Sequence, residues 1–165
     1  MSRPRPPAEG SSAIRLYLLA IGRLRRGPLH DVQQLYASRL SPPPTIVELE
    51  EKRALPPALL KAREAELLLG ALPSGARLVA LDRIGASWSS RDLARRLQSW
   101  RDSGVVALAF AIGGAEGLGA AVIERADTVL SLGQMTWPHL LVRTMLLEQL
   151  YRAQQITAGH PYHRE

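Results

Sequence analysis

The sequence predicts an α/β fold, a mainly parallel sheet with helices on both faces. Three observations lead there. Short aliphatic runs alternate along the chain with longer segments whose apolar residues recur at three- and four-residue steps. The longest apolar run, Val105 to Ile112, has the length of a strand and falls far short of the roughly 20 residues a membrane helix needs. Glycine-bearing loops directly follow strand-like runs, where open α/β sheets bind ligands. At 165 residues, 46% of them hydrophobic and 22% charged, the chain holds one domain with a real core.

Residues 1–13 (MSRPRPPAEGSSA) are rich in Pro, Ser and Arg and lack apolar patterning, so they read as a disordered extension with no secretion signal. Order begins at Ile14. The run IRLYLLAIG is a buried strand that stops at Gly22, and RLRRG is a basic turn. From Pro28 to Leu40 the residues Leu29, Val32, Leu35, Tyr36 and Leu40 form one helix face, and the prolines at 42 to 44 end it. TIVELEE is a second strand and Leu59 to Leu69 a second helix, closed by Gly70, Pro73 and Gly75. RLVALD, Arg77 to Asp82, is a third strand. Ser89 or Ser90 caps a helix through Trp100, with Asp92 in its first turn. Val105 to Ile112 is the fourth strand. A glycine-rich turn, a short helix to Arg125 and a strand at Thr128 to Leu132 follow. The last helix runs from Pro138, placed at its first position, to Ile156. A polar tail, residues 157–165, ends the chain.

The charge balance is +6, with 21 Lys+Arg against 15 Asp+Glu. All the cations except Lys52 and Lys61 are arginine. Guanidinium groups bind phosphates in a bidentate fork, so this excess favours a polyanionic partner. There is no cysteine, which excludes a disulfide framework and thiolate metal sites and suits a cytoplasmic protein. The histidines His30, His139, His160 and His163 form no pair at helical metal-ligand spacing, so no metal is expected.

Gly113, Gly114 and Gly117, in IGGAEGLG, let backbone approach a ligand closely. Their spacing is not the G-x-G-x-x-G of a dinucleotide fold, they come late in the chain, and no GK[ST] makes a P-loop. A tight turn with no ligand would use the same residues. Gly85 marks a second turn after Leu81–Asp82, and Ser131 to His139 (SLGQMTWPH) a third loop. No G-x-S-x-G elbow, H-x-x-x-H pair or acid pair beside a histidine accompanies them. A cofactor that brings its own reactive group suits such a site, because the protein need only position it and exclude water. His139 follows in the first turn of the last helix and Arg143 lies one turn on, on the same face. Met145, Leu146, Leu147 and Leu150 belong to the core or to a dimer face. In the tail, His160, Tyr162, His163 and Arg164 can stack on a base or pair with phosphate, or can be a frayed end.

A strand ending in LD with a following glycine, then IGGxEGL, then a final stretch from Leu130–Ser131 through EQLYRA to PYHRE, resembles one family. It is the RlmH type, bacterial 23S ribosomal RNA pseudouridine N3-methyltransferases and the smallest members of the SPOUT superfamily. The resemblance runs from Arg15 to Glu165, and PYHRE is its most specific part. It implies a deep trefoil knot in the C-terminal half, an exception to general topology rules. It implies S-adenosyl-L-methionine (SAM) across the three loops, at Leu81, at Gly113, and at Leu132, Gly133, Gln134, Met135, Thr136 and Trp137. It also implies a homodimer in which each site is completed by the partner subunit's tail, and a pseudouridine in 23S rRNA of the assembled 70S ribosome as substrate. On that reading His163, Tyr162 and Arg143 serve catalysis, and Arg164, His160 and His139 meet RNA. A non-enzymatic ribosome-binding protein explains the charge and tail but not the glycine loops. A nucleotide-dependent oxidoreductase is disfavoured by the motif's position and spacing.

Overall fold

The computed structural model describes residues 13–164. The extension expected over residues 1–13 therefore lies, up to residue 12, outside the described residues, as does Glu165. The elements follow in order: β1 (Arg15–Ile21), α1 (Pro28–Arg39), β2 (Thr45–Leu49), α2 (Pro57–Gly70), β3 (Arg77–Ser87), α3 (Ser90–Asp102), β4 (Ala107–Ile112), α4 (Ala120–Arg125), β5 (Thr128–Ser131) and α5 (His139–Thr157). The five strands form one sheet in the order β2-β1-β4-β3-β5, with every pairing parallel.

Alternation along the central strand builds the two core layers. On β4, Leu108, Phe110 and Ile112 face α1, α3 and α5, where they pack with Ala37, Trp100, Leu146, Leu147 and Leu150. Ala107, Ala109 and Ala111 face the other way, onto Ala65 and Leu68 of α2 and Val122 of α4. All six residues are buried. A strand covered on both faces has no polar side to show, hence the unbroken apolar run. Small side chains on one face and large ones on the other match the different helix layers they meet.

Local signals end the elements where the chemistry requires. The Ser89 Oγ accepts from the Asp92 N–H and the Asp92 carboxylate accepts from the Ser89 N–H, each at 3.0 Å, a capping box that starts α3. Pro138 is the N-cap of α5 rather than its first residue.

Two expectations change. The apolar face foreseen for α1 is divided: Gln33, Ala37 and Leu40 are buried, whereas Leu29, Val32 and Leu35 are exposed. β3 also runs on past Asp82. Both Leu81 and Ala86 register with Leu130, so residues 82–85 bulge out of a continuing strand where a turn was foreseen at Gly85. A Cβ at Gly85 would lie 2.6 Å from the Val129 carbonyl, so only glycine lets the bulge close against β5.

Candidate active site

β3 and β4 are neighbours, yet the chain leaves β3 for α3 on one face and β4 for α4 on the other. Adjacent strands that send their connections apart open a crevice at their carboxyl ends. A cleft of about 830 Å³ lies there, walled by the 82–85 bulge, the glycine loop after β4 and the loop from β5 into α5. Leu81, Gly113, Leu132, Gly133, Met135, Thr136 and Trp137 all line it. Gln134 is exposed and not part of the lining. Ile84, Met135 and Trp137 are 78%, 74% and 41% exposed around this cleft. Large apolar side chains left in water beside a concavity mark a contact surface.

The glycine loop owes its composition first to its own folding. Gly114 and Gly117 form an isolated bridge, with the Gly117 N–H donating to the Gly114 carbonyl at 3.0 Å. A Cβ on Gly113 would meet the Gly117 carbonyl carbon at 2.6 Å, and Gly117 holds φ +78°. The third loop is pinned by Ser131, whose Oγ accepts from the Gly133 N–H and donates to the Gly133 carbonyl, both at 3.0 Å. Both loops thus turn rigid backbone toward the cleft.

Under the cleft lies an ion pair. Arg143 is wholly buried. It donates to Glu48 Oε2 at 2.6 Å and to the carbonyls of Ile21 and Gly22 at 3.1 and 2.8 Å. Glu48 also accepts from the Leu24 N–H at 2.6 Å. Burial pushes the Glu48 carboxyl up, but the Leu24 N–H and the Arg143 guanidinium outweigh it and hold it below its ordinary value. Arg143 ties α5 to the carboxyl ends of β1 and β2. Its helix spacing from His139 is as expected, and both side chains lie beside Gly22.

His139 lines the cleft. A Cβ at Gly22, which has φ +96°, would lie 3.5 Å from its Nε2, so the ring sits against the end of β1. Burial first, and the nearby Arg143 cation second, lower its pKa and favour the neutral ring. Sequence reasoning missed Glu64. That buried carboxyl lies beneath Gly114, with its Oε1 3.3 Å from where a Cβ there would stand. It also missed the lining residues Lys61, Asp82 and Glu116. Glu116 stands inside the glycine motif and was legible; Glu64 lies on a helix face whose burial only the sheet reveals.

The tail lies elsewhere. Tyr162 donates to Glu148 Oε1 at 3.1 Å and packs edge-on to Tyr151, ring centroids 4.8 Å apart. Burial and the Glu148 carboxylate push the Tyr162 phenol up to about 12. Arg152 donates to His163 Nδ1 at 3.2 Å. His160 and Arg164 are exposed. None of these four residues lines the cleft of its own chain. Tyr162, through its bond to Glu148, adjoins a second groove, of about 640 Å³, that runs past Val32, Tyr36, Trp88, Met145 and Glu148 to Leu132 and Gly133.

A family model described as Predicted SPOUT methyltransferase matches residues 14–163. The chain belongs to the SPOUT methyltransferase family. Relatives bear this out: a protein of Paramagnetospirillum magneticum is 58% identical over 92% of this chain and 99% of its own length. One from Rhodospirillum centenum is 54% identical over the same shares. Both carry the name Ribosomal RNA large subunit methyltransferase H. Among solved structures, a probable methyltransferase from Bordetella pertussis Tohama I superposes with TM-score 0.53 at 14% identity, over 85% of this chain and 96% of that one. A probable methylase family protein from Haemophilus influenzae Rd KW20 gives TM-score 0.58 at 9% identity, over 93% and 72%. These two likenesses are of fold alone.

No described helix is long and apolar enough to cross a membrane, and no group of three potential ligands among the described residues could hold a metal ion.

Proposed function

We propose that this SPOUT methyltransferase transfers a methyl group from SAM to N3 of a pseudouridine in 23S rRNA on the assembled 70S ribosome, in the cytoplasm. The carrying observation is that three loops, distant in sequence, close on one cleft lined by glycine backbone, apolar side chains and the charged Lys61, Asp82, Arg83 and Glu116. A volume of about 830 Å³ is of the size small-molecule sites have. The donor set fits SAM. Leu81, Leu132 and Trp137 offer apolar surface to an adenine, backbone amides serve its ring edge and ribose, and Asp82 and Glu116 face a cationic ligand. When bound, SAM supplies a methyl group already activated by its sulfonium. The chain's residues then hold it, exclude water and position the base. The deep knot belongs to the same proposal, with the 131–139 loop as its threaded segment.

The groove supports completion of the site by a second copy. One end of the groove is the cleft's own loop at Leu132 and Gly133; the other adjoins Tyr162 through Glu148. A two-fold axis through it brings each tail to the other's cleft. The exposed Leu29, Val32 and Leu35 of α1 supply apolar area beside it. Arg23, Arg25 and Arg26 are exposed on the loop that starts at Gly22, beside His139, and suit phosphate.

SAM titration by calorimetry, with methylation assayed by mass spectrometry of rRNA, tests the reading. Wild-type protein binds SAM and restores one N3-methylpseudouridine to ribosomes from a strain lacking it. Deleting residues 159–165 abolishes methylation with SAM affinity intact. Equal loss of SAM binding would contradict this division between cleft and tail.

A further inference from the structure

The N3 proton of an imide has to leave for N3 to attack, and the tail supplies no ready acceptor. The Tyr162 hydroxyl already donates to Glu148, and its pKa near 12 leaves it protonated at neutral pH. The His163 ring is engaged by Arg152. Inside the cleft the choice narrows. Glu116 is exposed, and a carboxylate is a weaker base than a neutral imidazole, so it is the poorer acceptor for an imide proton. His139 stands on the cleft wall between Pro138 and Val142. Neither of its ring nitrogens bonds to any described residue, and neither is shut away from solvent.

We propose that His139 is the catalytic proton acceptor, taking the N3 proton of the target base as the methyl group is transferred. The inference rests on the methyltransferase reading above and assigns a step that reading leaves open. The N3–H bond breaks toward an imidazole nitrogen. The electron pair left on N3 forms the new N–C bond as the carbon–sulfur bond breaks, its pair returning to sulfur. A neutral thioether, a methylated base and an imidazolium result, and the imidazolium gives its proton to water.

The surroundings suit that task. Arg143, one turn on, lies with its Nη2 3.8 Å from where a Gly22 Cβ would stand, beside the His139 ring. Its charge, with burial, keeps the ring neutral and able to accept. Glu48 on β2 and the Ile21 and Gly22 carbonyls hold that guanidinium in place. Arg23 pairs with Glu50 on the adjoining loop, and Lys61, Asp82, Arg83 and Glu116 share the cleft. Arg143 is therefore a positioning residue, acting through His139.

The test compares wild type, His139→Ala, His139→Asn and Glu116→Gln in single-turnover methylation of ribosomes across pH, with SAM affinity measured in parallel. His139→Ala and His139→Asn should lose about 100- to 1,000-fold in rate at neutral pH while SAM affinity stays within about twofold. The deficit should shrink as rising pH ionises the imide without help, and added imidazole should partly restore His139→Ala. A pH-independent deficit, an equal loss of SAM affinity, or a pH-dependent loss in Glu116→Gln instead would overturn the assignment. A wild type that methylates and a His139→Ala that matches it would overturn it alone. A wild type that binds no SAM would overturn the reading beneath it as well.

Discussion

Arg143 and Glu64 show how differently the interior treats two charges. The arginine has one carboxylate and two carbonyls arranged around it, so its burial is compensated. Glu64 has a buried oxygen with no partner, and burial first, then the Glu116 charge, push its carboxyl above the ordinary value. A raised carboxyl favours the fold most below the unfolded value of 4.5, and that contribution is lost as pH rises through the folded value. Glu64→Gln should therefore raise the urea midpoint at neutral pH, with the gain shrinking toward pH 4. A lower midpoint at neutral pH would mean that the carboxylate is held by a partner. Glu48 has the opposite sign. Its lowered pKa makes its contribution full above 4.5 and lost as pH falls.

The helices differ in what they tell a reader of sequence. The capping box of α3 and the proline start of α1 are local, and were legible because their partners lie within a few residues; α2 begins at Pro57, two residues before the expected Leu59. Strand order and the Arg143 pair were not, because Glu48 lies 95 residues away and Gly22 121. The face of α1 was read as core because apolar spacing says only that a surface is dry. It does not say whether this chain or another copy dries it. Leu29, Val32 and Leu35, about two-fifths exposed each, fit the second case. Val32→Asp with Leu35→Asp should leave the fold and its far-ultraviolet spectrum intact while weakening self-association at least about tenfold, as burying two charges at an interface would. A doubly substituted protein that sediments as wild type would overturn α1 as a self-association face. Of the site, the three loops and His139 were legible. The bulge at residues 82–85 was not, since a glycine that closes a bulge reads the same as one that makes a turn.

At the scale of the whole molecule, the cleft and the tail of one chain do not meet. The cleft has the loops and His139; the tail, folded against Glu148 and Tyr151, borders a groove that leads to the same cleft wall. In the proposed dimer, an isologous pair would join the cleft and the tail twice, once for each subunit. The most direct measurement mixes two inactive proteins. One carries Gly113→Val, where a side chain collides with the Gly117 backbone, and the other lacks residues 159–165. Refolded together, they form mixed dimers with one intact cleft facing one intact tail, and methylation of ribosomes should return to a substantial fraction of wild type. Mixed dimers that form and stay inactive would contradict a site shared between subunits.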